Sequence, residues 1–169
     1  MAVRPDRPLT ARFGRRCWQV LVFGLACGVS AAAEPVPSRC EEGLHQSVSP
    51  PAAPTVLVVL SPRMPYALQE WPRMRALAEQ AGFQIVAFRD PGVPSSEWEA
   101  GLEAAGLPEL RAAPVLDQQV AADCRLLNHA PSALVGRCGR WHAWPVLGVM
   151  PDGPWLAVLN ERREAVACS

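Results

Sequence analysis

Cysteine is the residue type in this 169-residue chain whose number and spacing bear most directly on covalent chemistry. The chain has six cysteines, and no two of them have the Cys-x-x-Cys spacing that is typical of a redox-active pair. Two lie in the first 33 residues, and the other four are Cys40, Cys124, Cys138 and Cys168. An even number of cysteines in an oxidising compartment favours disulfides, so we predict two structural bridges, with three pairings open.

Other catalytic signatures are missing from the sequence. It has no Ser-His-Asp arrangement, no glycine-rich phosphate loop and no His-Glu-x-x-His motif. From residue 34 onward the chain carries 11 arginines against 15 acidic residues, and no basic stripe that could follow a phosphate backbone. We therefore predict that the chain does not bind nucleic acid and needs no cofactor, and the sequence favours a protein that is not an enzyme, with the oxidoreductase alternative given below left open.

A copper site is the metal alternative. Met64, His129 and His142 would supply a thioether and two imidazoles, the soft ligands that copper accepts. His142, however, stands between Trp141 and Trp144, a context typical of strand packing. The prediction is accordingly that the chain has no metal site.

Residues 1–33 have the composition of a secretory signal peptide. Five arginines precede an apolar run at 18–29, and three alanines at 31–33 provide the small residues of a cleavage site. The run has 12 residues, fewer than the roughly 20 that a membrane-spanning helix requires. We predict cleavage and a periplasmic location. An uncleaved anchor is the alternative, and it would be the only contact with the membrane.

The first half of the mature chain has the pattern of a strand, a helix and a second strand. Prolines at both ends of residues 34–54 predict a linker, so the domain begins at Thr55 and extends over 55–169. The continuous apolar run at 55–60 predicts a strand buried on both faces, and the mostly apolar segment 83–88 predicts a second buried strand. Helical spacing from Leu68 to Gly82 predicts a helix kinked by Pro72, and short connections make the two strands parallel.

The second half adds helices and a hairpin. Ser96 and Glu99 have capping-box spacing at the start of a short helix, and Asp117 is the N-cap of another. Strands at 132–137 and 141–146 meet at a turn containing Cys138 and Gly139, and a final helix covers 154–166. We also expect Trp71, Trp98 and Trp155 to be core residues, and Trp141 and Trp144 to lie on opposite faces of a strand, one of them exposed.

This element order resembles the thioredoxin-like superfamily. Residues 130–132, Ala-Pro-Ser, look like the segment in which a cis-proline opens the third strand of that family, and residues 147–159 are similar to its glycine followed by the last helix. The resemblance covers about residues 55–166. It implies an α/β fold of βαβ–α–ββα order, with a central mixed four-stranded sheet flanked by helices.

The same resemblance locates the position of the family's catalytic cysteines. If Pro72 is the proline that follows them, then Met64 and Ala67 stand where the two cysteines would be. Neither side chain can form a thiolate. The resemblance therefore implies an exported member without the Cys-x-x-Cys motif, with a binding groove formed by Met64, Pro65, Tyr66, His129 and Pro131.

We predict from this a periplasmic, non-catalytic interaction or assembly module whose partner is a protein or peptide of the cell envelope. The alternatives are a thiol–disulfide oxidoreductase using a remote pair such as Cys124 and Cys138, or a copper-handling protein. Within the implied fold, the pairing Cys138–Cys168 with Cys40–Cys124 is favoured. Its rival is Cys124–Cys138 with Cys40–Cys168.

Overall fold

The structure is a computed structural model that describes residues 38–49, 51–64, 66–166 and 168. The predicted signal peptide lies outside the described residues. Five α-helices, five strands and one 3₁₀ helix follow one another along the described chain. In order, they are α1 (Ser38–Ser47), β1 (Thr55–Leu60), α2 (Trp71–Gln80), β2 (Gln84–Arg89), α3 (Ser95–Ala105), the 3₁₀ helix (Pro108–Ala112), α4 (Gln118–Asp123), β3 (Ser132–Arg137), β4 (Arg140–Trp141), β5 (Val146–Leu147) and α5 (Asp152–Ala165).

One mixed sheet organises the domain. Its strand order is β2-β1-β3-β4, with β5 also pairing with β3. Strand β1 is parallel to β2 and antiparallel to β3, and both β4 and β5 are antiparallel to β3. The predicted α/β fold of thioredoxin-like topology is confirmed by this order and these directions.

The fourth strand differs from the prediction, because the single strand expected at 141–146 is two short strands. Between them, the Trp144 N–H donates to His142 Nδ1 over 3.1 Å instead of to a neighbouring strand. Pro145 follows and has no N–H to donate. Trp141 is buried and Trp144 is exposed, so one of the two indoles reaches solvent, but from a loop and not from a strand face.

Two apolar clusters cover the two faces of the sheet. Every residue of β1 is buried, and its side chains alternate between the faces, which is why its sequence is continuously apolar. The larger cluster takes Val56, Val58 and Leu60 from this strand; the smaller takes Leu57 and Val59. The larger cluster also contains the three indoles that the sequence predicted as core: Trp71, Trp98 and Trp155.

The predicted linker at 34–54 is wrong over ten of its 21 residues, because α1 lies within it and packs on the smaller cluster. Cys40 and Leu44 are four residues apart on one helical face, and their exposed fractions are 2% and 0%. The prolines that suggested a linker flank the ten residues of α1 and do not interrupt them. The folded domain therefore begins before Thr55.

Helix α2 begins later than the sequence predicted. It starts at Trp71, so Pro72 lies in its first turn, where the missing N–H has no intrahelical partner to lose. The predicted kink is therefore wrong. No described helix combines the length and apolarity needed to cross a membrane.

The two predicted helix caps have different outcomes. Helix α3 begins at Ser95 after Pro94 without a side-chain cap, so the capping box expected from Ser96 is wrong. At α4, the Asp117 carboxylate accepts from the N–H groups of Gln119 and Val120 over 2.8 and 3.0 Å, as predicted.

Candidate functional site

Three chain segments meet at the carboxyl end of β1. A turn that begins at Ser61 follows β1 directly, and the register pairs Val59 with Ser132, so Pro131 lies opposite Leu60, the last residue of β1. The Ala130–Pro131 peptide bond is cis. The Gly148 N–H donates to the Pro131 carbonyl over 2.8 Å, which brings residues 147–149 to the same place.

The turn after β1 carries no thiol. Its backbone is held by bonds from the Met64 N–H to the Ser61 carbonyl at 3.2 Å and from the Ala67 N–H to the Met64 carbonyl at 3.0 Å. Ala67 is fully buried, and the sequence has no cysteine between Cys40 and Cys124. Thiol–disulfide exchange therefore has no nucleophile of this chain at this position.

Met64 is directed to a neighbouring cavity. It is half-buried and lines, with Pro62, Leu68 and Gly101 among others, a cavity of about 180 Å³ between the turn and α3. A side chain at Gly101 would place its Cβ 2.6 Å from the Pro62 Cβ, so glycine is what lets α3 approach the turn this closely. Pro65, another residue of the predicted groove, lies outside the described residues.

Exposed apolar side chains gather around this end of the sheet. Tyr66 is 65% exposed, and Leu147 and Val149 are 40% and 46% exposed on either side of Gly148. His129 is also exposed, whereas Pro131 is buried. The sequence analysis named Tyr66, His129 and Pro131 but missed Leu147 and Val149. The sequence feature that would have indicated these two residues is their position on either side of Gly148.

The four cysteines of the domain form two bridges. Cys40 is joined to Cys124 with a Cα–Cα distance of 4.9 Å, and Cys138 to Cys168 with one of 5.4 Å. This is the favoured pairing of the two that the implied fold left open. Cys124 and Cys138 belong to different bridges, so the remote redox pair suggested for an oxidoreductase is not formed.

One of the suggested copper ligands, His142, lies on a different part of the domain from Met64. Met64 faces α3, whereas His142 follows β4 at the far edge of the sheet and faces α5, with its Nε2 3.3 Å from Nη1 of Arg162. No group of three or more His, Cys, Asp or Glu side chains suited to a metal occurs in the part of the chain that the structure describes.

His142 is a buried imidazole held in its neutral form. Burial lowers its pKa, and the Trp144 carbonyl, 3.3 Å from Nδ1, opposes that shift because it could accept a hydrogen bond from the protonated ring. Arg162 lowers the pKa further, and Glu161 raises it. The Trp144 N–H donates to Nδ1 of the neutral ring over 3.1 Å, and protonation of Nδ1 would abolish that bond.

We therefore expect His142 to make the domain less stable in mild acid. Because its pKa in the folded state is below the unfolded value of about 6.5, the unfolded chain binds the proton first as the pH falls. The free energy of unfolding should begin to fall near that pH and stop falling below the folded-state pKa. Urea unfolding between pH 8 and pH 4.5 measures this, with His142→Asn as the test variant.

The exposed His129 provides the matched control, since His129→Asn removes an imidazole that water already reaches. The histidine-dependent part of the pH profile should persist in His129→Asn and disappear in His142→Asn. Equal profiles for the wild type and His142→Asn would contradict the assignment.

Together these features define a thioredoxin-like α/β domain with no thiol in the turn after β1. Neither the family models nor the curated proteins contain a match to this chain. Among solved structures, it is similar to a secreted Mycobacterium tuberculosis disulfide oxidoreductase homologous to E. coli DsbE, with 15% identity and a TM-score of 0.45 over 67% of this chain and 84% of that one.

Two further solved structures are similar at the same level. For M. tuberculosis DsbF the identity is 15% and the TM-score 0.49, over 73% of this chain and 98% of that one. For a thiol:disulfide interchange protein of Chlorobium tepidum TLS the identity is 12% and the TM-score 0.47, over 69% of this chain and 83% of that one. At these identities and TM-scores the similarities carry no conclusion about activity. The fold assignment depends on the strand order and register described above.

Proposed function

We propose that this chain is an exported thioredoxin-like module that binds an extended, apolar peptide segment of a protein partner in the periplasm, without thiol chemistry at the binding surface. The observation that carries the proposal is the group of exposed apolar side chains Tyr66, Leu147 and Val149 at the thiol-free end of β1. We refer to these three residues as the strand-end surface. Exposed apolar groups at one place on a domain are typical of a binding site for a protein partner.

The backbone beside the strand-end surface supports an extended ligand. Within the described residues, neither the N–H nor the C=O of Ala130 has a backbone hydrogen-bond partner. An extended peptide passing Ala130 would satisfy both groups, while its alternate side chains contacted the apolar residues. Main-chain bonds supply affinity in this mode, and the side-chain contacts supply selectivity.

The cysteine arrangement supports the non-catalytic part of the proposal. The buried bridge removes Cys40 and Cys124 from exchange, and the other bridge lies at the opposite end of β3 from Pro131. A peptide on the strand-end surface would therefore meet no cysteine sulfur of the described residues. The exported location is part of the same proposal and depends on the predicted signal peptide.

Alanine substitution of the strand-end surface tests the binding. We expect Tyr66→Ala and Leu147→Ala each to raise the Kd for peptide by about 5- to 30-fold, the loss typical of a central apolar contact. The probe is a pool of fluorescein-labelled octapeptides with apolar residues at alternate positions, and the measurement is fluorescence anisotropy at fixed salt.

Val86→Ala is the matched control. Val86 is an exposed apolar residue of β2, away from the three converging segments, and its removal should leave the Kd unchanged. If Val86→Ala weakens binding as much as Leu147→Ala does, binding is non-specific and the strand-end surface is not the site. If no peptide of the pool changes the anisotropy, the proposal is wrong.

A further inference from the structure

We propose that the Cys138–Cys168 disulfide is a redox site of this protein, one that accepts two electrons from a dithiol while the domain stays folded. This goes beyond the proposed peptide binding and does not depend on it, because the bridge lies at the other end of β3 from Pro131. It also differs from the remote pair suggested by the sequence, which joined Cys138 to Cys124.

The first support is the difference in access between the two bridges. Cys138 and Cys168 are both exposed, whereas Cys40 and Cys124 are 2% and 3% exposed. Exchange requires a thiolate to reach a sulfur of the bridge, and its rate depends on that access. An external dithiol can therefore reach Cys138–Cys168 in the native state, and it can reach Cys40–Cys124 only when the domain opens.

The second support is the position of Cys138 at the tip of a hairpin. The backbone φ angles of Cys138 and Gly139 are 54° and 76°, so both central residues of this two-residue turn are left-handed, as in a type I′ turn. The turn projects beyond the last paired residues of the hairpin, Arg137 and Arg140. The sulfur of Cys138 is thus presented at the end of the sheet and not within a packed face.

The third support is positive charge beside the bridge. Arg137 and Arg140 flank the turn, and neither takes part in an ion pair with a carboxylate of the described residues. Cationic neighbours stabilise a cysteine thiolate, which is the leaving group when a disulfide is attacked. The same charges attract the incoming thiolate.

The domain does not depend on this bridge for its core. Neither Cys138 nor Cys168 belongs to the two apolar clusters of the described residues. Helix α5, which precedes Cys168, is anchored independently by the buried side chains of Trp155 and Leu159. Opening the bridge therefore leaves both faces of the sheet covered.

The reaction balances with a dithiol as the reductant. A thiolate of the dithiol attacks one sulfur of the bridge, a mixed disulfide forms, and the other cysteine leaves as a thiolate that takes up a proton. The second thiol of the reductant then attacks the mixed disulfide and releases the remaining cysteine. The dithiol becomes a disulfide, and two electrons and two protons reside on Cys138 and Cys168.

Graded reduction of the full oxidised chain tests the proposal. The protein is incubated for one fixed short time with dithiothreitol at increasing concentrations, free thiols are trapped with N-ethylmaleimide, and labelled cysteines are located by mass spectrometry. We expect Cys138 and Cys168 to be labelled together at about tenfold lower dithiothreitol than Cys40 and Cys124, with an unchanged circular dichroism spectrum.

The rate of disulfide reduction tests the role of Arg137 and Arg140. The double variant Arg137→Gln/Arg140→Gln should be reduced several-fold more slowly than the wild type, and Arg111→Gln, an exposed arginine on the 3₁₀ helix, should be reduced at the wild-type rate. Simultaneous labelling of all four cysteines, or labelling that accompanies loss of the native spectrum, would overturn the proposal. Equal rates for all variants would remove the role of the two arginines.

Discussion

The double variant Cys40→Ala/Cys124→Ala should lose most of the stability of the domain. The bridge closes a sequence separation of 84 residues, and the chain-entropy relation for a loop of that length gives about 4.5 kcal/mol. The Cys138–Cys168 bridge closes 30 residues, for which the same relation gives about 3.5 kcal/mol. Replacing both cysteines of a bridge leaves no unpaired thiol to confuse the comparison.

The packing around the two bridges increases the difference in stability loss expected between the two double variants. Cys40 and Cys124 contribute to the smaller apolar cluster, so alanine there also removes buried sulfur contacts. The matched variant Cys138→Ala/Cys168→Ala removes exposed sulfurs and should cost only the entropic part. Urea unfolding followed by circular dichroism gives both values. A larger loss for the exposed bridge would contradict the assignment of Cys40–Cys124 as the structural one.

Leu44→Ala should destabilise the domain by about 2–5 kcal/mol, the range for a large aliphatic side chain truncated in a core. Leu44 has no exposed surface and packs with the smaller cluster on one face of the sheet. Its removal leaves a cavity between α1 and that face. A loss of this size is a large part of the stability of an ordinary domain.

Gln46→Ala is the control on the same helix, because Gln46 is exposed and its truncation should change stability by no more than about 0.5 kcal/mol. The effect of Leu44→Ala should shrink when the Cys40–Cys124 bridge is also removed, since both hold α1 in place. If Leu44→Ala costs no more than Gln46→Ala, residues 38–47 do not pack on the domain and the predicted linker was right.

The first strand of the sheet was readable from local pattern, whereas the burial predicted for the second strand is wrong, because β2 lies at the edge of the sheet and exposes Gln84 and Val86. The bounds predicted for the first strand are those of β1, because an uninterrupted run of branched apolar residues has little alternative to a strand buried on both faces. The N-cap at Asp117 was readable for the same local reason, since the side chain bonds its own helix two and three residues later. The kink predicted at Pro72 and the capping box predicted at Ser96 were wrong, because each depended on where the helix begins, which the local pattern did not fix.

Helix α1 could not be found in this way. It contains few apolar residues, and prolines on both sides of it are typical of a linker. What makes it part of the domain is Cys124, which is 84 residues away in sequence and is joined to Cys40. A short helix gains most of its stability from tertiary contacts, which local pattern does not contain.

The sequence by itself excluded thiolate chemistry in the turn after β1, because no cysteine lies between Cys40 and Cys124. It also determined the order of the elements from β1 to β3 and the final helix, since periodicity and turn residues are local properties, but it did not reveal α1 or the division of the last strand. The tertiary structure alone decided which cysteines pair, which bridge faces solvent, and that Leu147 and Val149 are exposed near Pro131. Those facts depend on distances between residues far apart in the chain, and these distances are fixed only when the chain has folded.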